Sequence, residues 1–189
     1  MLKILSLFTV ALQSLGRRQK TLERINFRRR VPTLAAIEIE ALQMAGIEGI
    51  ILDLDNTVVS EDDRYLSPHA ETWIETAKAQ GFEFFILSNG KRKHRVLYWS
   101  KRLDIPAINP AHKPWPFAFR KALKRMQLQS SQVIVIGDSL HTDVMGAFFS
   151  GCSCIQVASL PHPPRWWEKL FGKWVQIPYP CDRELWELD

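Results

Sequence analysis

The sequence predicts an α/β fold, three layers deep, with a central parallel sheet, and three observations predict it. Its strand-like segments are near-continuous apolar runs, as in Gly49-Ile50-Ile51-Leu52 and Val133-Ile134-Val135-Ile136, with none of the alternation of a half-solvated sheet. Helical patterns of ten or so residues separate those runs. Glycine or proline stands at most of the junctions, where one period gives way to the other.

The elements follow in order. A short helix, Ala35 to Met44, leads through Ala45-Gly46 into a strand over Gly49–Leu54. A helix from about Pro68 to Gln80 stops at Gly81, which can take the left-handed conformation that ends helices. Strand Phe82–Leu87 follows, then helix Lys91–Leu103, a short strand at Ala107-Ile108 and a helix from Pro114 to Met126. Strand Val133–Ile136 runs into helix Leu140–Phe149, Gly151 ends that helix, and Cys152–Val157 is the last strand. Trp73, Trp99 and Trp115 are expected in the core, on the inner faces of their helices. There are no internal repeats and no low-complexity tracts.

At 189 residues and 46% hydrophobic content, the chain is long enough for one well-cored domain with little left for a second. Its cysteines, Cys152, Cys154 and Cys181, are odd in number and lack C-x-x-C spacing, so they read as reduced residues of an intracellular protein. Cys152 and Cys154 sit two apart in an apolar run and are expected to fill the core on one face of a strand. The charge is unevenly spread. Residues 1–30 carry eight basic side chains against Glu23 alone, an arm of +7; a total of +5 leaves −2 for the remainder. A localised basic arm beside apolar residues points to an anionic membrane surface, whereas nucleic acid would call for an evenly basic surface.

No run of 18 apolar residues exists, so no ordinary membrane span is expected. The opening MLKILSLFTVALQSL places Ile4, Phe8, Leu12 and Leu15 on one side of a helix, with Lys3, Ser6, Gln13 and Ser14 largely on the other. An interfacial helix lying on a bilayer is the expectation; a helix docked on the domain and an organelle-targeting peptide are the alternatives. The division expected is an amphipathic arm over 1–34, the α/β domain over 35–160, and an aromatic-rich segment over 161–189.

Ligands of open parallel sheets bind at the carboxyl ends of the strands. There the sequence places Asp53 and Asp55, then Ser88-Asn89-Gly90, then Lys113, then Gly137-Asp138-Ser139 with Asp143 five residues on. Three separate loops bring acids or a small polar group, and a fourth brings a lysine. Two carboxylates one residue apart at the mouth of a buried strand repel unless a cation or a shared proton relieves them. None of His69, His94, His112, His141 and His162 has metal-ligand spacing, and all five are expected in surface or loop roles.

This ordered set resembles the four motifs of the haloacid dehalogenase (HAD) superfamily: D-x-D-x-T/V, a Ser or Thr, a Lys, and G-D-x-x-x-T-D. The chain reads Asp53-Leu54-Asp55-Asn56-Thr57, Ser88, Lys113, and Gly137-Asp138-Ser139-Leu140-His141-Thr142-Asp143, within residues 49 to 157. The resemblance implies a Rossmann-like HAD fold and phosphomonoester hydrolysis through an aspartyl-phosphate. Asp53 would be the nucleophile and Asp55 the general acid and base. Ser88, the Asn89 amide and Lys113 would hold phosphate oxygens, and Thr57 would orient the loop. It also implies Mg²⁺ as the cofactor, held by Asp53, the Asp55 carbonyl and Asp138, with Asp143 as a further or supporting ligand.

The spacing leaves no room for a cap domain. Asp53 to Ser88 spans 35 positions, and helix and strand leave only about Val58–Ser67 as a flap; Lys113 to Asp138 spans 25, filled by one helix and one strand. An open crevice suits a phosphorylated substrate whose bulk stays outside. Residues 165–174 mix three Trp, a Phe and three cations, a composition suited to a bilayer interface; burial on the domain's own last strand is the alternative. The words "LDLDNT", "ILSNG", "NPAHKP" and "GDSLHTDV", with the capless spacing, are similar to the YqeG-type subfamily of HAD class IIIA, itself similar to the mitochondrial and plant HAD phosphatidylglycerophosphatases. That likeness implies dephosphorylation of phosphatidylglycerophosphate, an anionic phospholipid, by a cytoplasmic protein peripheral to the inner or an organellar membrane through residues 1–30 and 165–174. A HAD phosphatase on a soluble sugar or nucleotide phosphate, or on a macromolecular phosphate, and a binding module that has kept the fold without turnover are the competing expectations. The oligomeric state is left open.

Overall fold

A computed structural model of the chain describes residues 29–164 and 166–188. The helix expected around Ile4, Phe8, Leu12 and Leu15 lies outside them, as do the side chains of Trp166 and Trp167.

Six parallel strands make the central sheet: β1 (Arg29–Val31), β2 (Gly49–Leu52), β4 (Glu83–Leu87), β5 (Ala107–Ile108), β6 (Val133–Gly137) and β7 (Ser153–Val157). Their order is β1-β7-β6-β2-β4-β5. The chain runs from β2 outward through β4 and β5, then returns to build the other side from β6. The strand order therefore reverses at β2, and the crevice beyond its carboxyl end is where such sheets bind ligands.

Alternation along the strands divides the core. Ile50, Leu52, Phe84, Ile86, Ile134 and Ile136 face a layer containing α1 (Ile39–Met44), α2 (Ala70–Ala79) and α3 (Lys93–Arg102). Ile51, Phe85, Leu87, Val133 and Val135 face α4 (Pro116–Met126) and α5 (Met145–Ser150), among Phe119, Ala122 and Ala147. Every residue of β2 and β6 is buried, because helices cover both faces. Cys152 and Cys154 fill the second layer as unpaired thiols. Trp73 and Trp99 are buried in the first. Trp115 departs from expectation: it precedes the first turn of α4, outside its buried stripe, and is 63% exposed.

Several features go beyond the sequence pattern. The strand β1 pairs with β7, so Ser153–Val157 is not the sheet edge. The expected helix from Ala35 is a 3-10 turn at Leu34–Ala36 followed by α1. The flap forms a hairpin-like segment whose strand β3 (Tyr65–Leu66) pairs antiparallel with β8 (Trp186–Glu187) of the C-terminal segment. His69 stacks edge-on against Trp186 beside this pairing, with ring centres 4.6 Å apart. Ahead of β8 in the chain, α6 (Trp166–Val175) packs against the turn that follows β6. Among the described elements no domain is inserted between the loops that carry Asp53, Ser88, Lys113 and Asp138. No described helix is long and apolar enough to cross a membrane.

Candidate active site

The loops after β2, β4 and β6, with the segment before α4, line an open crevice of about 670 Å³. Asp53, Asp55, Asn89, Lys113 and Asp138 all lie on its wall. Asp53 is buried, its N–H bonded to the Ile136 carbonyl at 2.9 Å, which continues the β2–β6 ladder to the nucleophile position. Asp138 is fixed from outside: its Oδ2 accepts hydrogen bonds from Ser159 Oγ at 2.6 Å and Gln176 Nε2 at 2.8 Å. Asp143 comes back to the site because a π-helical turn, Leu140–Val144, precedes α5 where a regular helix was expected. Its Oδ2 accepts from the Ser139 N–H at 3.1 Å and from Thr142 Oγ1 at 3.2 Å. Gly137 makes this possible, for a Cβ there would stand 2.3 Å from Asp143 Cγ.

Lys113 sits at the centre, buried, its ammonium donating to Asp143 Oδ1 at 2.7 Å and to Asp53 Oδ1. Burial alone would pull the lysine down; the Asp143 and Asp53 carboxylates outweigh it and leave its pKa raised. Burial, then the charge of Asp143, holds Asp53 well above the usual carboxylate range against the opposing pull of Lys113. The same two causes push Asp138 up to about 6, in spite of the hydrogen bonds from Ser159 and Gln176. The cluster therefore holds more negative charge than one lysine offsets.

Donor atoms of Asp53, Asp138 and Asp143 all lie within 4.8 Å of one another. Three carboxylate oxygens, one from the loop after β2 and two from the segment after β6, buried and short of positive charge, fit a hard divalent cation such as Mg²⁺. The Asp55 side chain is not in this cluster. Its Oδ2 accepts from Ser88 Oγ at 2.9 Å and its Oδ1 from Arg95. Asn89 ties two loops together, donating to the Lys113 carbonyl at 3.0 Å and accepting from the Lys113 N–H at 2.9 Å. With its side chain so engaged, the part of Asn89 left for a phosphate oxygen is its backbone N–H. Thr57 Oγ1 reaches Asp53 Oδ2 only at 3.5 Å, at the limit of a hydrogen bond.

A family model for haloacid dehalogenase-like hydrolases matches residues 9–151. The chain belongs to the haloacid dehalogenase-like hydrolase family. It is 39% identical over 127 residues to "Probable phosphatase YqeG" of Bacillus subtilis, covering 67% of this chain and 73% of that one. Its kinship within the family is thus with a phosphatase of the YqeG type. The ribonucleotide monophosphatase NagD of Escherichia coli is 34% identical over 64 residues, which is 29% of this chain and 26% of NagD. An uncharacterized protein from Listeria monocytogenes shares the fold at a TM-score of 0.50 and 19% identity, over 63% of this chain and 84% of its own. A Streptomyces avermitilis protein assigned to the same family does so at 0.50 and 17%, over 70% and 72%.

In this HAD-like hydrolase the fold adds residues to the site that no motif marks. Arg95 on α3 is buried against Asp55. Ser159 and Gln176 brace Asp138, and His141 lines the crevice with Nδ1 2.8 Å from Ser139 Oγ. A lone Arg in the run Lys91-Arg92-Lys93-His94-Arg95 reads as one more surface charge. Its spacing from Val96 and Trp99, both buried, is the one signal that puts it near the inner side of the helix.

Proposed function

We propose that this hydrolase is a Mg²⁺-dependent phosphomonoesterase that forms an aspartyl-phosphate on Asp53, and that its substrate is the lipid phosphatidylglycerophosphate, met at a membrane surface. The observation that carries the reaction is the buried trio Asp53, Asp138 and Asp143 around Lys113. A phosphate monoester brings two further negative charges to a site already in excess, so entry requires a divalent cation. When bound by those three acids and the Asp55 carbonyl, Mg²⁺ supplies positive charge beside the transferring phosphoryl group.

The residues divide the work. Lys113 holds Asp53 Oδ1, so Oδ2, met only by Thr57 Oγ1 at 3.5 Å, is the oxygen placed to attack phosphorus. As the ester P–O bond breaks, its electron pair goes to the leaving oxygen, and Asp55 gives that oxygen a proton. Asp55 then takes a proton from the water that attacks the aspartyl-phosphate, which releases phosphate and restores Asp53. The Ser88 hydroxyl, the Asn89 N–H and Lys113 hold the equatorial oxygens during both steps. Asp53→Asn removes turnover with the fold intact; retained turnover would take Asp53 out of the nucleophile role.

The lipid reading rests on the open crevice and on α6. Leu170, Phe171 and Trp174 stand exposed on that helix, and Gln176 just beyond it grips Asp138. A helix that presents large apolar side chains to solvent this close to the site suits docking at a bilayer interface, with the basic arm drawn to anionic head groups. In this reading the protein works on the cytoplasmic side of its membrane. The test is a substrate panel with and without vesicles: phosphatidylglycerophosphate, phosphatidic acid, a nucleotide monophosphate and p-nitrophenyl phosphate. Deletion of residues 1–28, which stops short of β1, or Leu170→Ser with Trp174→Ser, should abolish hydrolysis of the vesicle-borne lipid and leave p-nitrophenyl phosphate untouched. Equal activity on both substrates would end the membrane reading.

A further inference from the structure

Arg95, in the first turn of α3, is buried on a helix otherwise rich in exposed charge. Its guanidinium is 5% exposed and each arm of its fork is engaged. One terminal nitrogen donates to Asp55 Oδ1, the other to the Ser60 carbonyl at 2.7 Å, and Nε to Asp63 Oδ1 at 2.5 Å. The flap does not depend on it alone. Arg92 independently donates to the Glu61 carbonyl and pairs with Asp63 Oδ2 at 3.2 Å, and β3 is clasped by β8. Of the two arginines, Arg95 is the one that reaches Asp55.

The consequence lies in which oxygen of Asp55 remains available. Arg95 occupies Oδ1 from the α3 side. The partner of Oδ2 is the Ser88 hydroxyl, the group assigned above to a phosphate oxygen. Gly90 closes the remaining side: a Cβ there would lie 2.8 Å from Asp55 Oδ2 and 3.0 Å from Ser88 Oγ. We propose that Arg95 is a positioning residue for proton transfer, clamping Asp55 Oδ1 so that Oδ2 alone faces the leaving oxygen once Ser88 has moved to the phosphate. This rests on the phosphatase reading above and adds to it the group that orients the acid. A planar fork that donates in three directions at once does this; a lysine ammonium on a flexible stem does not.

Leaving-group dependence tests it. A nitrophenolate departs without a proton, whereas phenolate departs far more readily with one. Single-turnover phosphoryl transfer, with enzyme and Mg²⁺ in excess, is measured for p-nitrophenyl phosphate and phenyl phosphate. In Arg95→Gln the phenyl phosphate rate should fall by about a hundredfold, the contribution typical of a well-placed general acid, and the p-nitrophenyl rate by less than about threefold. Arg95→Lys should show the same selective loss at smaller amplitude, and it carries the test if Arg95→Gln does not fold. Asp63→Asn, which removes a flap partner and leaves the Asp55 contact, should keep the wild-type ratio. Equal losses on both substrates, no loss on phenyl phosphate, or a selective loss in Asp63→Asn would each overturn the proposal. A wild type inactive on both in Mg²⁺ would instead overturn the phosphatase reading itself.

Discussion

Two polar clusters flank the end of β2, one residue apart in sequence and opposite in electrostatic design. Around Asp53, three buried carboxylates face one lysine, and burial, then the charge of Asp143, holds Asp53 and Asp138 above the carboxylate range. Around Asp55, two carboxylates and a carbonyl face the Arg95 fork, with Ser88 and Arg92 as further donors. The first cluster is left incomplete by the protein's own atoms; the second is complete without help. The difference teaches how neighbouring acids take different roles: Asp53 is placed where a cation must join it, and Asp55 where a fixed guanidinium already has.

The comparison is broken most severely at its unbalanced side. Asp53→Asn should lower steady-state hydrolysis of p-nitrophenyl phosphate by about ten thousandfold or more, with circular dichroism unchanged. Lys113→Ala leaves Asp53 and Asp143 buried without their shared cation. It should destabilise the metal-free protein by about 3–5 kcal/mol in urea, more than Arg95→Gln does, since Asp55 and Asp63 are partly solvated.

Metal and pH sharpen the contrast further. Asp138 has a folded-state value raised above the unfolded one, so its stability contribution is whole below about pH 4 and is lost as pH rises through about 6; Asp53 is raised in the same direction. For Asp138 this amounts to on the order of 2–3 kcal/mol. The metal-free protein should therefore lose stability between pH 4 and 6, and the rise in Tm on adding Mg²⁺ should be larger at pH 7 than at pH 5. EDTA should reverse that rise. A Mg²⁺ effect independent of pH would mean that these acids do not hold the ion.

Gly90→Ala probes the complete side, pressing a methyl against Asp55 Oδ2 and Ser88 Oγ; it should lower kcat for p-nitrophenyl phosphate about tenfold while moving Tm little. The smallest effect is expected from Ser159→Ala, which removes one hydrogen bond to Asp138 and should cost about 1 kcal/mol, measured by thermal unfolding.

The unbalanced cluster was legible in the sequence because its members follow strands, and strands announce themselves as apolar runs. The balanced one was half hidden. Asp55 and Ser88 belong to motifs, but Arg95 closes the basic run begun by Lys91, Arg92 and Lys93, at the start of a helix whose inward side only packing defines. Gln176 and Ser159 reach Asp138 through tertiary contact across 38 and 21 residues, a distance over which no local pattern carries information. The strands β1, β3 and β8, two or three residues each, are too short for any period to register. Trp115 was misplaced because Pro116 begins α4 one residue later, which puts the indole ahead of the helix and outside its inward stripe.

The Gln176–Asp138 contact ties the outer helix to the metal-binding acids. By thermodynamic reciprocity, any occupant of the Leu170–Trp174 face that alters the grip on Asp138 alters cation affinity, and the cation then alters that occupant's attachment by the same factor.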